Sequence, residues 1–370
     1  MKYVFKKKIL RLAMPILDLL GSVFFLPVKC FVKKMPADPK NILIVRLDHI
    51  GDFVCTTPLF KNLKNRFPEA KITVLVNSVS KDLAYRNPNI DKVITFSPLH
   101  LARSNESSNL KGLRRIIKDV KNIGFDLGID PRGDVLSILI MWLGGVKYRI
   151  GYGITGGGFL LDKVCGYDES KHVIDRNLAL LESLDIPISG RSPEVYFSEK
   201  DKDEVERLLR SFHGSAMAKR AVVIHPFAGT KAKEWPKENF QNLISGIEGD
   251  GHDVLLIGSA SDEGRYRNVI DLRGKLSLSQ LACLIEKAGF FIGLDSGPAN
   301  ISAALNVPSV IICSGTNMPQ LWISNNSNVK FVYKNTECKP CGLKVCMKEK
   351  HECMELITVE AVIEKFREIM

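Results

Sequence analysis

From Asn41 onward the chain alternates short apolar runs with longer segments of helical spacing, and few folds accept that pattern. Residues 41–45, 71–76, 92–96 and 126–130 read as strands. Residues 53–67 read as a helix, with Phe53, Leu59, Leu63 and Phe67 at helical spacing, as do residues 81–86 and 111–123. A strand that is apolar along its length is buried on both faces. Such strands alternating with helices predict a parallel sheet covered on both sides. The pattern then starts again. Residues 221–225, 253–258, 290–294 and 308–313 are strands; residues 237–248, 277–288 and the segment after Pro298 are helices. No internal sequence repeat relates the two sets. The expectation is an α/β chain of two Rossmann-like, doubly wound domains facing a cleft, with ligands beyond the C-terminal ends of the strands.

A chain of 370 residues is long enough for two full cores. Three parts are expected: a basic amphipathic segment at 1–38, a first domain at 39–190, and a second at 191–370 ending in a cysteine-rich tail at 338–353. Residues 185–203, with Pro187 and Pro193, read as the crossing between domains. Residues 146–186 hold Tyr148-Arg149-Ile150-Gly151, a glycine-rich loop and a helix at 173–184. Gly151, Gly153 and Gly156 match the GxGxxG spacing, but no clear helix follows and no acidic partner is suitably placed. The stretch therefore reads as a flexible loop and not as a dinucleotide cradle.

The formal charge of +11 favours an acidic partner. Lys2, Lys6, Lys7, Lys8 and Arg11 flank apolar residues, and residues 14–32 are mostly apolar. Pro15, Asp18, Gly21, Pro27 and Lys29 interrupt that run, so it lacks the roughly 18 clean apolar residues of a membrane span. It reads as an interfacial anchor, with lysines on an anionic membrane surface; the alternative is a helix packed on the body. No basic run is interleaved with aromatics and no zinc-finger or RNP signature occurs, which argues against nucleic acid as partner. Cys30, Cys55, Cys165, Cys283 and Cys313 lie in apolar segments and read as small buried thiols of a cytosolic fold.

Chemistry concentrates in loops that follow strands. Arg46-Leu47-Asp48-His49-Ile50-Gly51-Asp52 closes the first strand. Glycine permits a sharp turn there and leaves Asp52 at the start of a helix, where a carboxylate can take a proton from a hydroxyl or simply cap the helix. Asp48 and His49 are further candidate bases. The loop from His225 to Pro236 offers the Thr230 hydroxyl and the charges of Lys231 and Lys233, suited to a diphosphate. A third loop, Gly258 to Glu263, includes Ser259. The fourth, Asp295-Ser296-Gly297-Pro298-Ala299-Asn300, puts a carboxylate, a hydroxyl and a glycine before a helix whose first N–H groups favour an anion. A nucleotide-sugar suits such a turn; the plain alternative is Asp295 or Ser296 as a helix cap.

Four pieces in order resemble glycosyltransferase family nine, the bacterial lipopolysaccharide heptosyltransferases. They are residues 42–52 with Thr57-Pro58, residues 225–236, Leu272-Arg273-Gly274-Lys275-Leu276-Ser277-Leu278, and Asp295-Ser296-Gly297-Pro298 with Ala303-Ala304. The resemblance covers residues 40–370. It implies a GT-B fold and inverting, metal-independent transfer of heptose or a related sugar from an ADP-sugar to a lipid-linked phosphorylated glycan, a lipopolysaccharide core acceptor. It implies a peripheral protein on the cytoplasmic face of the inner membrane that needs no cofactor. By the same resemblance Asp52 is the general base and Lys233 stabilises the leaving diphosphate. Thr230 lies near it; Asp295, Ser296 and Gly297 hold the donor, and Asp130 and Arg132 face the acceptor. Read from their loops alone, Lys231, Ser259 and Asn300 are further donor-binding candidates and Arg46 a further acceptor-side one. Many members carry His where this chain has Asn300, which leaves the sugar's identity open.

Cys338, Cys341, Cys346 and Cys353 have spacing that suits a structural zinc site or a set of reduced structural thiols. Two other functions remain at this stage: a GT-B-like nucleotide-sugar epimerase or hydrolase, which turns over donor without acceptor, and a non-catalytic peripheral membrane protein binding anionic glycolipid.

Overall fold

The computed structural model describes residues 8–24, 33–98, 110–213, 221–324 and 326–370. Lys2, Lys6, Lys7, Cys30 and the polar loop through Ser104, Asn105, Ser107 and Ser108 lie outside the described residues. The chain divides into two compact units, Met1–Arg191 and Ser192–Met370.

The first unit is built on six strands: β1 (Asn41–Arg46), β2 (Lys71–Val76), β3 (Lys92–Thr95), β4 (Leu127–Asp130), β5 (Tyr148–Gly151) and β6 (Lys163–Val164). Their order is β3-β2-β1-β4-β5-β6, and every neighbouring pair is parallel. Ile42 to Val45 are fully buried, as an apolar central strand covered on both faces requires. Ile44 lies opposite Ile129, so Arg46 and Asp130 leave adjacent strands at the same sheet edge. The segment expected as one helix at 53–67 is two, Ile50–Val54 and Thr57–Arg66. Pro58 is the cause: it fits the first turn of the second helix but cannot continue the first.

Three elements escape the sequence reading here, the two-residue edge strand β6 among them. Val135–Leu143 is a helix; a Cβ on Gly128 would lie 2.7 Å from the Met141 sulfur, so the glycine lets this helix lie close on the sheet. Tyr148–Gly151 is a buried strand and not part of a glycine-rich loop. After it, Gly156 and Gly157 take left-handed backbone angles and a short 3-10 turn, Gly158–Leu160, follows in place of a helix.

The second unit repeats the winding with β7 (Ala221–His225), β8 (Asp253–Leu256), β9 (Ile270–Asp271), β10 (Gly289–Leu294), β11 (Ser309–Ile312) and β12 (Val329–Val332). The order is β12-β11-β10-β7-β8-β9, again parallel throughout. Residues expected as the end of the interdomain crossing begin a 15-residue helix, Glu199–His213. Asp201 anchors it twice, accepting from Ser198 N–H at 2.8 Å and from Ser279 Oγ at 3.1 Å. The C-terminal helix Val359–Arg367 buries Phe366 edge-on against Phe290 (ring centroids 5.4 Å apart) and His252 (5.5 Å).

The N-terminal helix Lys8–Phe24 meets the first unit: buried Asp18 accepts from the Gly157 N–H at 2.8 Å. Among the described residues no helix is long and apolar enough to cross a membrane.

Phe366→Ala should destabilise the second unit by about 3–5 kcal/mol, the cost of a large aromatic cavity that neighbouring rings cannot fill. Urea denaturation followed by tryptophan fluorescence measures it; a shift below about 1 kcal/mol would mean the C-terminal helix is not anchored through this ring.

Candidate active site

Strand order explains where chemistry collects. In each unit the winding reverses between two adjacent central strands, β1 and β4 in the first, β7 and β10 in the second. The loops leaving such a pair diverge to opposite sides of the sheet and open a crevice at its carboxyl edge.

In the second unit the crevice is framed by the loop after His225 and the turn after Leu294. Lys233, in the 3-10 turn Lys231–Lys233, places Nζ 2.6 Å from Asp295 Oδ2 and 3.4 Å from the Asp295 carbonyl oxygen. Asp295 is only 7% exposed. Its Oδ2 also accepts from Asn317 Nδ2 at 3.0 Å, and Asn317 Oδ1 is a buried atom without a hydrogen-bond partner. Ser296 occupies the cap position of the helix Gly297–Ala304, yet its hydroxyl does not cap. It lies 3.1 Å from His225 Nδ1 at the end of β7. Asn300, one turn into the helix, donates to the Ser296 carbonyl at 3.2 Å. A helix cap is therefore not what Asp295 and Ser296 do.

The other expected donor residues are more peripheral. Lys231 is exposed, and the Thr230 hydroxyl does not cap the turn that follows it. Ser259 is exposed too, with its N–H donating to Asp262 Oδ2 at 2.7 Å and its hydroxyl 2.9 Å from Ser261. The motif at 272–278 pins this loop. Arg273 pairs with Asp271 at 2.6 Å and donates to the carbonyls of Asp262 and Gly264 at 2.8 and 2.9 Å. Gly274 has φ +68, and a Cβ there would strike Ala260 at 2.7 Å.

The first unit gathers carboxylates around arginine. Arg46 is 3% exposed, with Nε 3.2 Å from Asp48 Oδ1 and Nη2 3.5 Å from Asp52 Oδ1. Burial alone would lower this guanidinium, but Asp48 and Asp52 outweigh it and raise it. Asp52 also accepts from the His49 N–H at 3.3 Å, so the capping role and an outward-facing carboxylate coexist. Burial pushes Asp48 up to about 6, against the pull of Arg46. Asp130 is wholly buried, pushed up to about 8 by that burial and then by Asp134; its Oδ1 accepts from the Arg132 N–H at 3.1 Å and its Oδ2 has no partner. Of the three residues expected to face an acceptor, only Arg132 is substantially exposed, its side chain 26% accessible and its Nε 4.0 Å from Asp48 and 3.7 Å from Asp134. Arg46 and Asp130 instead lie beneath, because a guanidinium and a carboxyl at the ends of central strands are covered by the loops that follow.

The tail cysteines do not form a ligand set. Among the described residues no three His, Cys, Asp or Glu side chains are placed to hold a metal ion, so the structure does not fit the expected zinc. Cys353 is buried, Cys341 and Cys346 half-buried, Cys338 exposed. The tail acts through its backbone: Ala232 N–H donates to the Lys344 carbonyl at 3.0 Å, and Cys341 and Gly342 donate to the carbonyls of Gly315 and Thr316.

Residues 113–352 match the family model described as glycosyltransferase family 9 (heptosyltransferase). The chain belongs to glycosyltransferase family 9. Lipopolysaccharide heptosyltransferase 3 of Escherichia coli is 25% identical over 304 residues, covering 74% of this chain and 86% of that protein. Lipooligosaccharide heptosyltransferase 2 of Campylobacter jejuni is 25% identical over 334 residues, covering 87% and 95%. The E. coli ADP-heptose lipopolysaccharide heptosyltransferase II structure superposes with a TM-score of 0.70 at 20% identity, covering 89% of this chain and 98% of that one. The chain is thus a glycosyltransferase, and its fold class is GT-B, two doubly wound units in one chain.

For this family 9 enzyme the sequence reading missed Asn317 and the pairing of His225 with Ser296. Asn317 follows β11 on the same edge as the other loops, which is the one signal that could have drawn it out.

Asp130 gives a pH prediction. An unfolded aspartate loses its proton near pH 4, whereas folded Asp130 keeps it to about 8, so between those values the native state holds one proton more. Stability then falls as pH rises through that window, by at most about 1.4 kcal/mol per pH unit. Asp130→Asn should flatten the stability–pH curve across this range, read by urea denaturation at a series of pH values. Equal slopes in both proteins would show that Asp130 is ionised in the folded state.

Proposed function

We propose that the enzyme moves heptose, or a closely related sugar, from an ADP-sugar to a lipid-linked phosphorylated glycan of the lipopolysaccharide core, with inversion. The observation that carries the reading is the Lys233–Asp295 pair at the switch point of the second unit, 2.6 Å apart and backed by Asn317. It fixes an ammonium at a strand edge, where a nucleotide diphosphate binds in folds of this kind. The names of the E. coli and C. jejuni relatives, lipopolysaccharide and lipooligosaccharide heptosyltransferases, support heptose as the sugar and a glycolipid of that class as the acceptor.

Transfer needs a proton taken from the acceptor hydroxyl and charge stabilised on the departing diphosphate. Asp52 takes the proton. It is the more exposed of the two carboxylates beside Arg46, and that guanidinium gives it a counter-charge. Lys233 meets the charge developing on the diphosphate, a role that a divalent cation fills in other transferases; the Ser296 hydroxyl and the first N–H groups of the helix Gly297–Ala304 lie at the same edge. Asp295 and Asn300 bind sugar hydroxyls. Arg132 offers a planar donor set for phosphate or carboxylate on the acceptor. This reading has the enzyme work at the cytoplasmic face of the inner membrane, where a lipid-linked acceptor and an ADP-sugar would meet.

Calorimetric titration with ADP-heptose, ADP-glucose, UDP-glucose and GDP-mannose tests the donor. ADP-sugars alone should bind, and Lys233→Ala should weaken them by about tenfold or more. Tight binding of UDP- or GDP-sugars would remove the ADP-heptose assignment. With core acceptor present, Asp52→Asn should lower kcat by about 10²–10⁴ and leave donor affinity unchanged. If Asp48→Asn loses that activity and Asp52→Asn does not, the base is Asp48. Release of free sugar at the same rate without acceptor would make the protein a hydrolase.

A further inference from the structure

The N-terminal helix Lys8–Phe24 has two faces with different partners. At 100° per residue, Met14, Asp18 and Gly21 share an arc of about 60°. That stripe sits on the turn after β5. Asp18 takes the Gly157 N–H, a Cβ on Gly156 would lie 2.0 Å from the Met14 methyl, and a Cβ on Gly21 would strike the Phe159 ring at 2.5 Å. Ile16, Leu19, Leu20 and Val23 fall on the opposite arc, and each is more than 60% exposed. Exposed apolar side chains repeated along one helix face mark a contact surface.

Charge decides what covers it. Residues 1–34 contain eight basic side chains, Lys2, Lys6, Lys7, Lys8, Arg11, Lys29, Lys33 and Lys34, and one carboxylate, Asp18. That carboxylate is the buried one, turned toward Gly157. The segment thus combines an outward apolar face with an almost wholly cationic sequence, which is the chemistry of an anionic lipid surface. Among the described residues no helix is long and apolar enough to cross a membrane, and this one suits lying in the headgroup region.

The inner stripe leads to the acceptor-side loop. Two residues before Gly157, Thr155 donates its N–H to the Gly133 carbonyl at 3.1 Å, and its hydroxyl accepts from the Val135 N–H at 2.9 Å. Gly133 and Asp134 directly follow Arg132, and Asp134 caps the next helix by accepting from Leu136 N–H at 2.9 Å. A Cβ on Gly133 would lie within 2.9 Å of Tyr152 and Ile154, so this loop and the glycine turn fit together without slack.

We propose that the outer face of the helix Lys8–Phe24 lies on an anionic lipid surface and that Asp18, through the Thr155–Gly133 contacts, transmits this seating to the loop carrying Arg132. The inference deepens the lipid-linked acceptor reading and rests on it: the element that meets the membrane also holds the acceptor arginine in place.

The test uses the full chain and vesicles of phosphatidylcholine with and without phosphatidylglycerol, so it does not depend on turnover. Wild-type protein should sediment with phosphatidylglycerol vesicles and be released as salt rises. Leu19→Glu with Val23→Glu, both at exposed positions, should lower that binding by more than about tenfold. Hydrogen exchange at the amides of residues 133–135 should slow when vesicles bind, and Asp18→Ala should abolish the slowing while vesicle binding persists; Asp18→Asn, which keeps an acceptor oxygen, should restore it. Equal binding by the double variant, no preference for the anionic lipid, or self-association through this face in place of vesicle binding would overturn the surface assignment. Unchanged exchange at 133–135 in the wild type on vesicle binding would overturn the coupling. Failure of the ADP-sugar titration would touch neither result.

Discussion

The reversal of winding between adjacent central strands is the constraint on which the rest of the molecule depends. A right-handed crossover carries each strand to the next on one side of the sheet until the chain returns to the centre and winds the other way. At that point two loops part, and the peptide groups at two strand ends face open space without a covering helix. Both units reach this point by the same strand order, although their sequences show no repeat. In the first, the parting loops carry Arg46 to Asp52 and Asp130 to Arg132; in the second, His225 to Lys233 and Asp295 to Asn300. Topology selects the place and leaves side-chain chemistry unspecified, so the two crevices can be charged differently.

That difference is energetic as well as chemical. The first unit crowds Asp48, Asp52, Asp130 and Asp134 around Arg46 and Arg132, and burial drives two of the carboxyls upward. Protonation relieves the cost of burying those charges, and secondarily their repulsion by neighbouring carboxylates. The second unit instead sets one buried carboxylate against one lysine. Losing the lysine would leave the Asp295 carboxylate with Asn317 as its side-chain partner among the described residues, a change far costlier than losing an exposed ion pair. The contacts with Asp295 hold Lys233 Nζ in place, 2.6 Å from its carboxylate and 3.4 Å from its carbonyl oxygen. Preorganised charge of this kind stabilises a transition state without reorganising at the moment of reaction.

How much of this could be read from the chain follows from the same physics. Strands β1, β2, β4, β7, β8, β10 and β11 were legible because a central parallel strand must be apolar along its length. Strands β6 and β9 are two-residue edges, and β12 mixes Lys330 into its apolar residues, so none carries that signal. Val135–Leu143 was hidden for the opposite reason: it is apolar nearly all round, without the one-sided stripe that marks a surface helix. Glu199–His213 begins with six polar residues, and its apolar positions emerge only after the prolines that resembled a linker. At the sites, residues carried by a motif were legible. Asn317 and the His225–Ser296 contact depend on which loops the sheet brings together, and spacing along the chain encodes nothing of that.

In the cysteine tail the backbone contacts are what reach toward the site. Cys338-x-x-Cys341 with Cys346 and Cys353 has the look of a metal site, and three of the thiols do act electrostatically on Cys353. Yet burial, the largest influence, keeps that thiol protonated, and its sulfur receives the Gly315 amide while packing where a Gly315 side chain would lie. Gly315 stands two residues before Asn317. On the other side, the Lys344 carbonyl holds Ala232, the neighbour of Lys233. The tail therefore closes around both residues that touch Asp295, and its exactness of position matters to the site even though none of its side chains reaches the carboxylate. Backbone groups of a segment far along the chain thus hold the two loops that bring Lys233 and Asn317 to one buried charge.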